Sequence, residues 1–348
     1  MCKTSACGTR CLAPGSNDLI IALRSILAFI LIIAPGARGM ANAGSATETV
    51  DARQASLEYN ASVVNTLLAK GDPRSLAFAA TMLPLLGDAQ STDGKARSDL
   101  LAEAVQQGPD DVLVQWLGAL YMTPDARTSP AARALLRLEP ENGAAWMFPL
   151  QAALAANDAD GVTGALRHIG AATRFDVHFA DFSLAWATFY REHPAPVPQG
   201  RPTGFHSDEQ PLVAGIASAA AMAMPAFQYL VRACKVNEVP LTTDRREACI
   251  AAGRLMFSQS AEQISRGLGV ALLRNADAPG HEQARRTVDY LGQMYTQVSE
   301  SLDSDPAMYQ QFESDWQETR SETAVIERTL TRAGVPLVPP ADWEPPKG

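Results

Sequence analysis

The chain has 348 residues, 47% hydrophobic and 19% charged, with a formal net charge of −9. That balance excludes a disordered chain, which could not bury enough apolar surface to offset the entropy of ordering. The acidic excess speaks against nucleic-acid binding, which needs a basic face. The length leaves room for two domains with cores of their own.

In chain order, residues 1–43 read as an export signal. Lys3, Arg10 and Arg24 precede an apolar core from Ile26 to Ala34, Pro35-Gly36 breaks it, and the small-residue motif Ala41-Asn42-Ala43 sets cleavage after Ala43. The uninterrupted apolar run is about half the roughly 20 residues a spanning helix needs. A periplasmic or secreted location is therefore expected, with an uncleaved inner-membrane anchor as the alternative. The leader carries Lys3, Arg10, Arg24 and Arg38 against Asp18, so the remainder holds 25 basic and 37 acidic residues, a formal −12. It also takes away Cys2, Cys7 and Cys11, leaving Cys234 and Cys249 as an even pair in an oxidising compartment. A disulfide between them would close a loop of about 15 residues, for about 3 kcal/mol in the chain-entropy account.

From Gly44 the pattern is helical. Expected helices are Ala52–Lys70, Pro73–Leu86, Ser98–Gln107 with Ser98 as cap, Val112–Met122, Pro130–Leu138, Ala144–Ala156, Gly161–Ala172 and Phe179–Glu192. Polar loops separate them at 87–96 and 123–129. Between Pro109 and Trp146 one phrase occurs twice. Pro109-Asp110-Asp111 leads to Trp116, and Pro140-Glu141-Asn142 leads to Trp146, with the prolines 31 residues apart.

This pattern resembles tetratricopeptide-type repeats over about residues 52–192. The matching residues are Gly71-Asp72 with Leu76 and Ala80; Trp116, Leu117 and Gly118 with Tyr121; Pro140; and Trp146 with Ala165, Ile169 and Ala172. The resemblance implies helical hairpins stacked into a solenoid, with a concave face for a protein or peptide partner. Trp116, Tyr121, Trp146 and Phe148 are the residues expected on that face, and Trp116 and Trp146 are equally accounted for as core.

Four prolines, Pro194, Pro196, Pro198 and Pro202, make a semi-rigid stretch, and residues 193–207 are expected to link a repeat domain (44–192) to a second helical domain (208–335). That domain opens with the segment Asp208–Cys234. Residues 211–231 carry no charge, but their alanine content and Pro225 point to a buried central helix rather than a membrane span. Asp244 with Glu247 and Ser260 with Gln263 read as capping boxes, and Pro279 and Asp305-Pro306 open helices over 279–302 and 306–333. On the last of these, Tyr309, Phe312, Trp316, Thr319, Thr323, Ile326 and Leu330 form one stripe, while Glu313, Glu318, Glu322 and Glu327 read as a solvated face. Gly334 and Pro336 stop the helix before a proline-rich tail, 336–348.

No motif calls for a cofactor. A phosphate-binding glycine loop, a Gly-x-Ser-x-Gly elbow, His-Glu-x-x-His and Cys-x-x-Cys are all absent. Glu300-Ser301 lacks the Gly-Leu-Met-Gln-like sequence that would make it resemble the lytic transglycosylases. His168 and His178, with Asp176 and Asp181 nearby, are the nearest approach to a metal-ligand grouping, at a spacing that matches no known pattern. The expectation is an all-α, non-catalytic exported protein that mediates protein interaction or scaffolding in a bacterial envelope, in no specified oligomeric state. A hydrolase acting on cell-wall material, or a small-ligand-binding protein, is the alternative.

Overall fold

The computed structural model describes residues 46–86, 97–122, 129–196, 204–235 and 241–345. The leader with its three cysteines, the centre of the proline-rich stretch and most of the 87–96 and 123–129 loops lie outside the described residues. Among the described residues the fold is all-α, with fifteen α-helices and no strands. No helix there is long and apolar enough to cross a membrane.

The helices are α1 (Ala46–Lys70), α2 (Pro73–Met82), α3 (Arg97–Gln107), α4 (Val112–Tyr121), α5 (Pro130–Leu138), α6 (Met147–Ala155), α7 (Ala159–Ala171) and α8 (Phe179–Glu192). They continue as α9 (Pro211–Met222), α10 (Gln228–Ala233), α11 (Thr243–Gln259), α12 (Gln263–Asn275), α13 (His281–Val298), α14 (Pro306–Thr319) and α15 (Glu322–Arg332). Several starts are fixed locally. Asp72, Asp111, Asp158 and Asp305 each accept hydrogen bonds from backbone N–H groups of the first turn they cap, and Pro73 and Pro306 stand where the missing N–H costs nothing.

The sequence-based boundaries shift where backbone chemistry overrides pattern. Asp208–Cys234 is not one helix: Pro225 divides it into α9 and α10. The helix expected over 306–333 is also two, with Arg320 in the left-handed region at φ 48° and Ser321 capping α15. The expected stripe therefore folds back on itself across this turn, and Asp315 of α14 pairs with Arg328 and Arg332 of α15. The caps of α11 and α12 fall on Thr242 and Glu262 rather than Asp244 and Ser260.

The two halves expected as separate domains share one core. A single cluster of buried apolar residues runs from Val63 through Trp116, Phe182 and Ile216 to Trp316 and Val325. Helices α8 and α9 pack tightly on either side of the proline-rich stretch, where Gly215 lies against the Ser183 carbonyl and the Ala187 backbone. Cys234 and Cys249 are bonded and tie the end of α10 to α11. Smaller apolar clusters lie between α13 and α15 and beneath α12.

Because a Cβ at Gly215 would meet backbone that cannot move aside, Gly215→Ala should cost about 1–3 kcal/mol in urea unfolding. Gly292→Ala, in helix α13 with open space around it, should be neutral or stabilising by up to about 1 kcal/mol.

Candidate functional site

Four turns between helices, far apart in sequence, lie side by side near the middle of the molecule. The Gly143 N–H donates to the Arg174 carbonyl and the Thr173 N–H to the Glu141 carbonyl, joining the turn after α5 to the one between α7 and α8. Next, the Phe175 N–H donates to the Gln259 carbonyl and the Ala261 N–H to the Phe175 carbonyl, adding the α11–α12 turn. The Thr323 N–H then donates to the Ala261 carbonyl at 3.0 Å, adding the α14–α15 turn. Asn142 locks the first pair: its Nδ2 donates to the Asp176 carbonyl at 2.8 Å and its Oδ1 accepts from the Asp176 N–H at 3.0 Å.

Charged groups are buried along this seam. His178, only 3% exposed, stands at the N-cap of α8 with φ 60°, a left-handed conformation that a non-glycine residue holds only when its surroundings insist on it. Its Nε2 lies 2.7 Å from Glu139 Oε2 and its Nδ1 3.6 Å from Asp181 Oδ2. Arg174 bonds the other Glu139 oxygen at 2.5 Å and Asp176 at 3.2 Å. Burial works against the imidazolium, but the Asp181 and Glu139 hydrogen bonds and the nearby carboxylate charges outweigh it and hold His178 up at about 10. Burial likewise raises Glu139, but His178 and Arg174 pull it down to about 2.

Across the seam the carboxyls behave in the opposite way. Glu262, 1% exposed, accepts from the Val177 N–H at 3.0 Å and from Ser265 Oγ at 3.1 Å, and burial, reinforced by Asp176, pushes it well above the usual carboxylate range. Glu322, expected on a solvated face, is instead buried at the start of α15, where it accepts from the Gln263 N–H. Burial lifts it to about 7, partly opposed by that hydrogen bond.

The chemistry open to this cluster is narrow. An imidazole held as a cation cannot act as a general base at neutral pH, and no hydroxyl or thiol nucleophile is bonded to it. Asp176, His178 and Asp181 do bring ligand atoms within 4.8 Å of one another. However, both His178 nitrogens face carboxylates, while Arg174 and Arg320 already occupy Asp176 and Asp181. A metal would have to displace two guanidinium groups and a proton, so the residues do not fit one. His168 does not join the group: it stacks on Trp146 at 3.7 Å between ring centroids.

No family model, curated protein or solved structure matches this chain.

Trp116 is fully buried, edge-on to Phe148 and His178, and its Nε1 donates to the Ala223 carbonyl at 2.9 Å. The Tyr121 hydroxyl donates to the Met222 carbonyl at 2.6 Å. These are carbonyls at the C-terminal end of α9, where Pro225 stops the helix, so the two aromatics cap it. Beside this junction Tyr121 and Phe148 line a half-open groove of about 200 Å³ with Met147, Gln151, Met224 and Tyr229. Trp146 is half-buried under His168 and does not line the groove. Composition and spacing pointed to none of Glu139, Asn142, Arg174 or Glu262 as site residues. The only trace was the Pro140-Glu141-Asn142 phrase, which reads as an ordinary helix junction.

Two predictions follow from the charges. His178→Ala removes the charged partner of one Glu139 oxygen, leaving Arg174 on the other, and should cost about 1.5–3 kcal/mol in urea unfolding at neutral pH. For pH, the raised Glu322 contributes stability that is fully present below 4.5 and lost as pH rises through about 7. The raised His178 contributes stability present below 6.5 and lost as pH rises through about 10. Glu139 contributes above 4.5 and is lost as pH falls through about 2. The urea midpoint should therefore be higher near about pH 5 than near about pH 8, and Glu322→Gln should shrink the difference while the His178 and Glu262 contributions remain. A midpoint that climbs across this interval would contradict the assigned protonation states.

Proposed function

We propose that this chain is a non-catalytic, extracytoplasmic helical module that holds a partner protein in the bacterial envelope by an extended apolar segment seated in the groove beside Tyr121 and Phe148. The groove is the observation that carries the reading. At about 200 Å³ it falls below the roughly 300–1,000 Å³ typical of pockets that enclose small ligands, so it suits one or two side chains of a longer segment. Met147 and Met224 supply adaptable, polarisable walls, and Tyr121 and Tyr229 supply rigid aromatic ones. The lining contains no carboxylate, imidazole or thiol, which argues against acid–base or nucleophilic chemistry there.

The Cys234–Cys249 bridge agrees with an oxidising compartment, as does the export-type leader. The formal −12 of the chain without that leader disfavours polyanionic partners. The sequence's resemblance to tetratricopeptide-type repeats points the same way, since repeats of that kind serve as protein-binding scaffolds.

A photoreactive residue at Ala226, exposed on the rim, should give one discrete adduct in the envelope, whereas the same residue at the exposed Ala102 of α3 should not. Ala226→Trp should fill the groove and reduce partner capture by about tenfold or more with the thermal midpoint unchanged. Identical adducts from positions 226 and 102 would remove the basis for the groove as the binding site.

A further inference from the structure

After α15 the chain turns at Gly334 (φ 72°) and runs back over its own surface as a strap, residues 336–345. The attachment is compact. Trp343 sits edge-on to Tyr290 of α13 at 5.3 Å between centroids, and Pro339 is buried. Arg286 of α13 donates to three carbonyls of the strap: Trp343 at 2.6 Å, Ala341 at 3.0 Å, and Pro340. The apolar cluster beneath, made by Tyr290, Leu291, Tyr295, Ile326 and Leu330, is separate from the main core. Releasing the strap thus leaves the main core closed and requires only local opening.

Two large apolar side chains of the strap are left uncovered. Leu337 and Val338 are 37% and 71% exposed and, with Leu85, are the exposed large apolar side chains among the described residues. They lie in the hinge, between Gly334 and the first buried strap residue, Pro339.

We propose that two copies of this chain exchange their 336–345 straps, each strap docking on α13 and α15 of the other. Every copy carries both the strap and its receptor, so exchange conserves the Trp343–Tyr290 and Arg286–carbonyl contacts. The balance is set by the hinge, by the entropy of association and by newly covered surface. Where the two hinges run past each other, Leu337 and Val338 of both copies can be buried, which a single copy does not do. Four prolines, Pro336, Pro339, Pro340 and Pro345, restrict the backbone of the strap and keep it low in entropy whether docked in its own copy or in the other.

The test uses two variants of the purified chain and their mixture, followed by light scattering across a concentration series. The unaltered chain should show a dimer fraction that grows with concentration. Trp343→Ala disables the strap and Tyr290→Ala disables its receptor, so each alone should stay monomeric. Mixed, they should form a heterodimer joined by the intact strap of the Tyr290→Ala chain on the intact receptor of the Trp343→Ala chain. Leu337→Asp with Val338→Asp, both at exposed positions and so harmless to folding, should raise the dimer dissociation constant by roughly tenfold or more. A wild-type chain that stays monomeric throughout the series, or a dimer that persists in both single variants, would overturn the exchange. So would a dimer insensitive to the two aspartates.

Discussion

Four turns hydrogen-bonded edge to edge are the constraint on which the rest of this structure depends. Helices satisfy their own backbone, but the segments between them do not, and a buried turn must find partners for its N–H and C=O groups. Here Glu141–Gly143, Thr173–Asp176, Gln259–Ala261 and Thr323 supply one another. The arrangement fixes which helix pairs lie side by side and makes the core continuous from one half of the chain to the other. It also explains the left-handed Arg320: the turn it permits lets Thr323 bond the Ser260 and Ala261 carbonyls, while its guanidinium reaches Asp181.

The same burial decides the chemistry. A histidine enclosed by Glu139 and Asp181 keeps its proton, while Glu262 and Glu322, with no basic side chain bonded to them, are driven toward the neutral acid. These groups resemble catalytic residues in their perturbation but not in their access, since Glu262 and His178 are almost without exposed surface. Their effect is to specify the packing of the turns and to make it sensitive to protons. The groove beside Tyr121 has the reverse character, open to solvent and lacking charge in its lining.

Much of this architecture was legible in the sequence because its causes are local. Asp72, Asp111, Asp158 and Asp305 mark helix starts through the turns they themselves cap, and Cys234 and Cys249 are near enough in sequence for pairing to be read from cysteine arithmetic. The features that escaped have distant causes. The proline-rich stretch looks like a boundary because nothing in it announces that Gly215 will press against Ser183. Arg320 looks helical because a non-glycine residue gives no sign of a left-handed turn imposed from elsewhere. Glu322 follows a helical polar pattern, and only the arrival of α12 turns that polar position into a buried one. Trp116 and Tyr121 stood out as aromatics suited to a binding face, and what they bond is the end of α9 in their own chain.

The order of the four turns along the chain also carries a kinetic consequence. A chain delivered from its N-terminus presents the Asn142 turn first and the Thr323 turn nearly last, so the seam can close only when almost all of the protein has emerged. Until then the Ala261 carbonyl lacks its Thr323 partner and the Phe179 ring lacks Trp316 of α14, so apolar surface at the start of α8 stays open, the condition in which chains associate wrongly. Closure over such long loops is slow relative to helix formation. The early helices must therefore wait, already formed, for the last two, and this delay is when the chain most needs to be kept away from copies of itself.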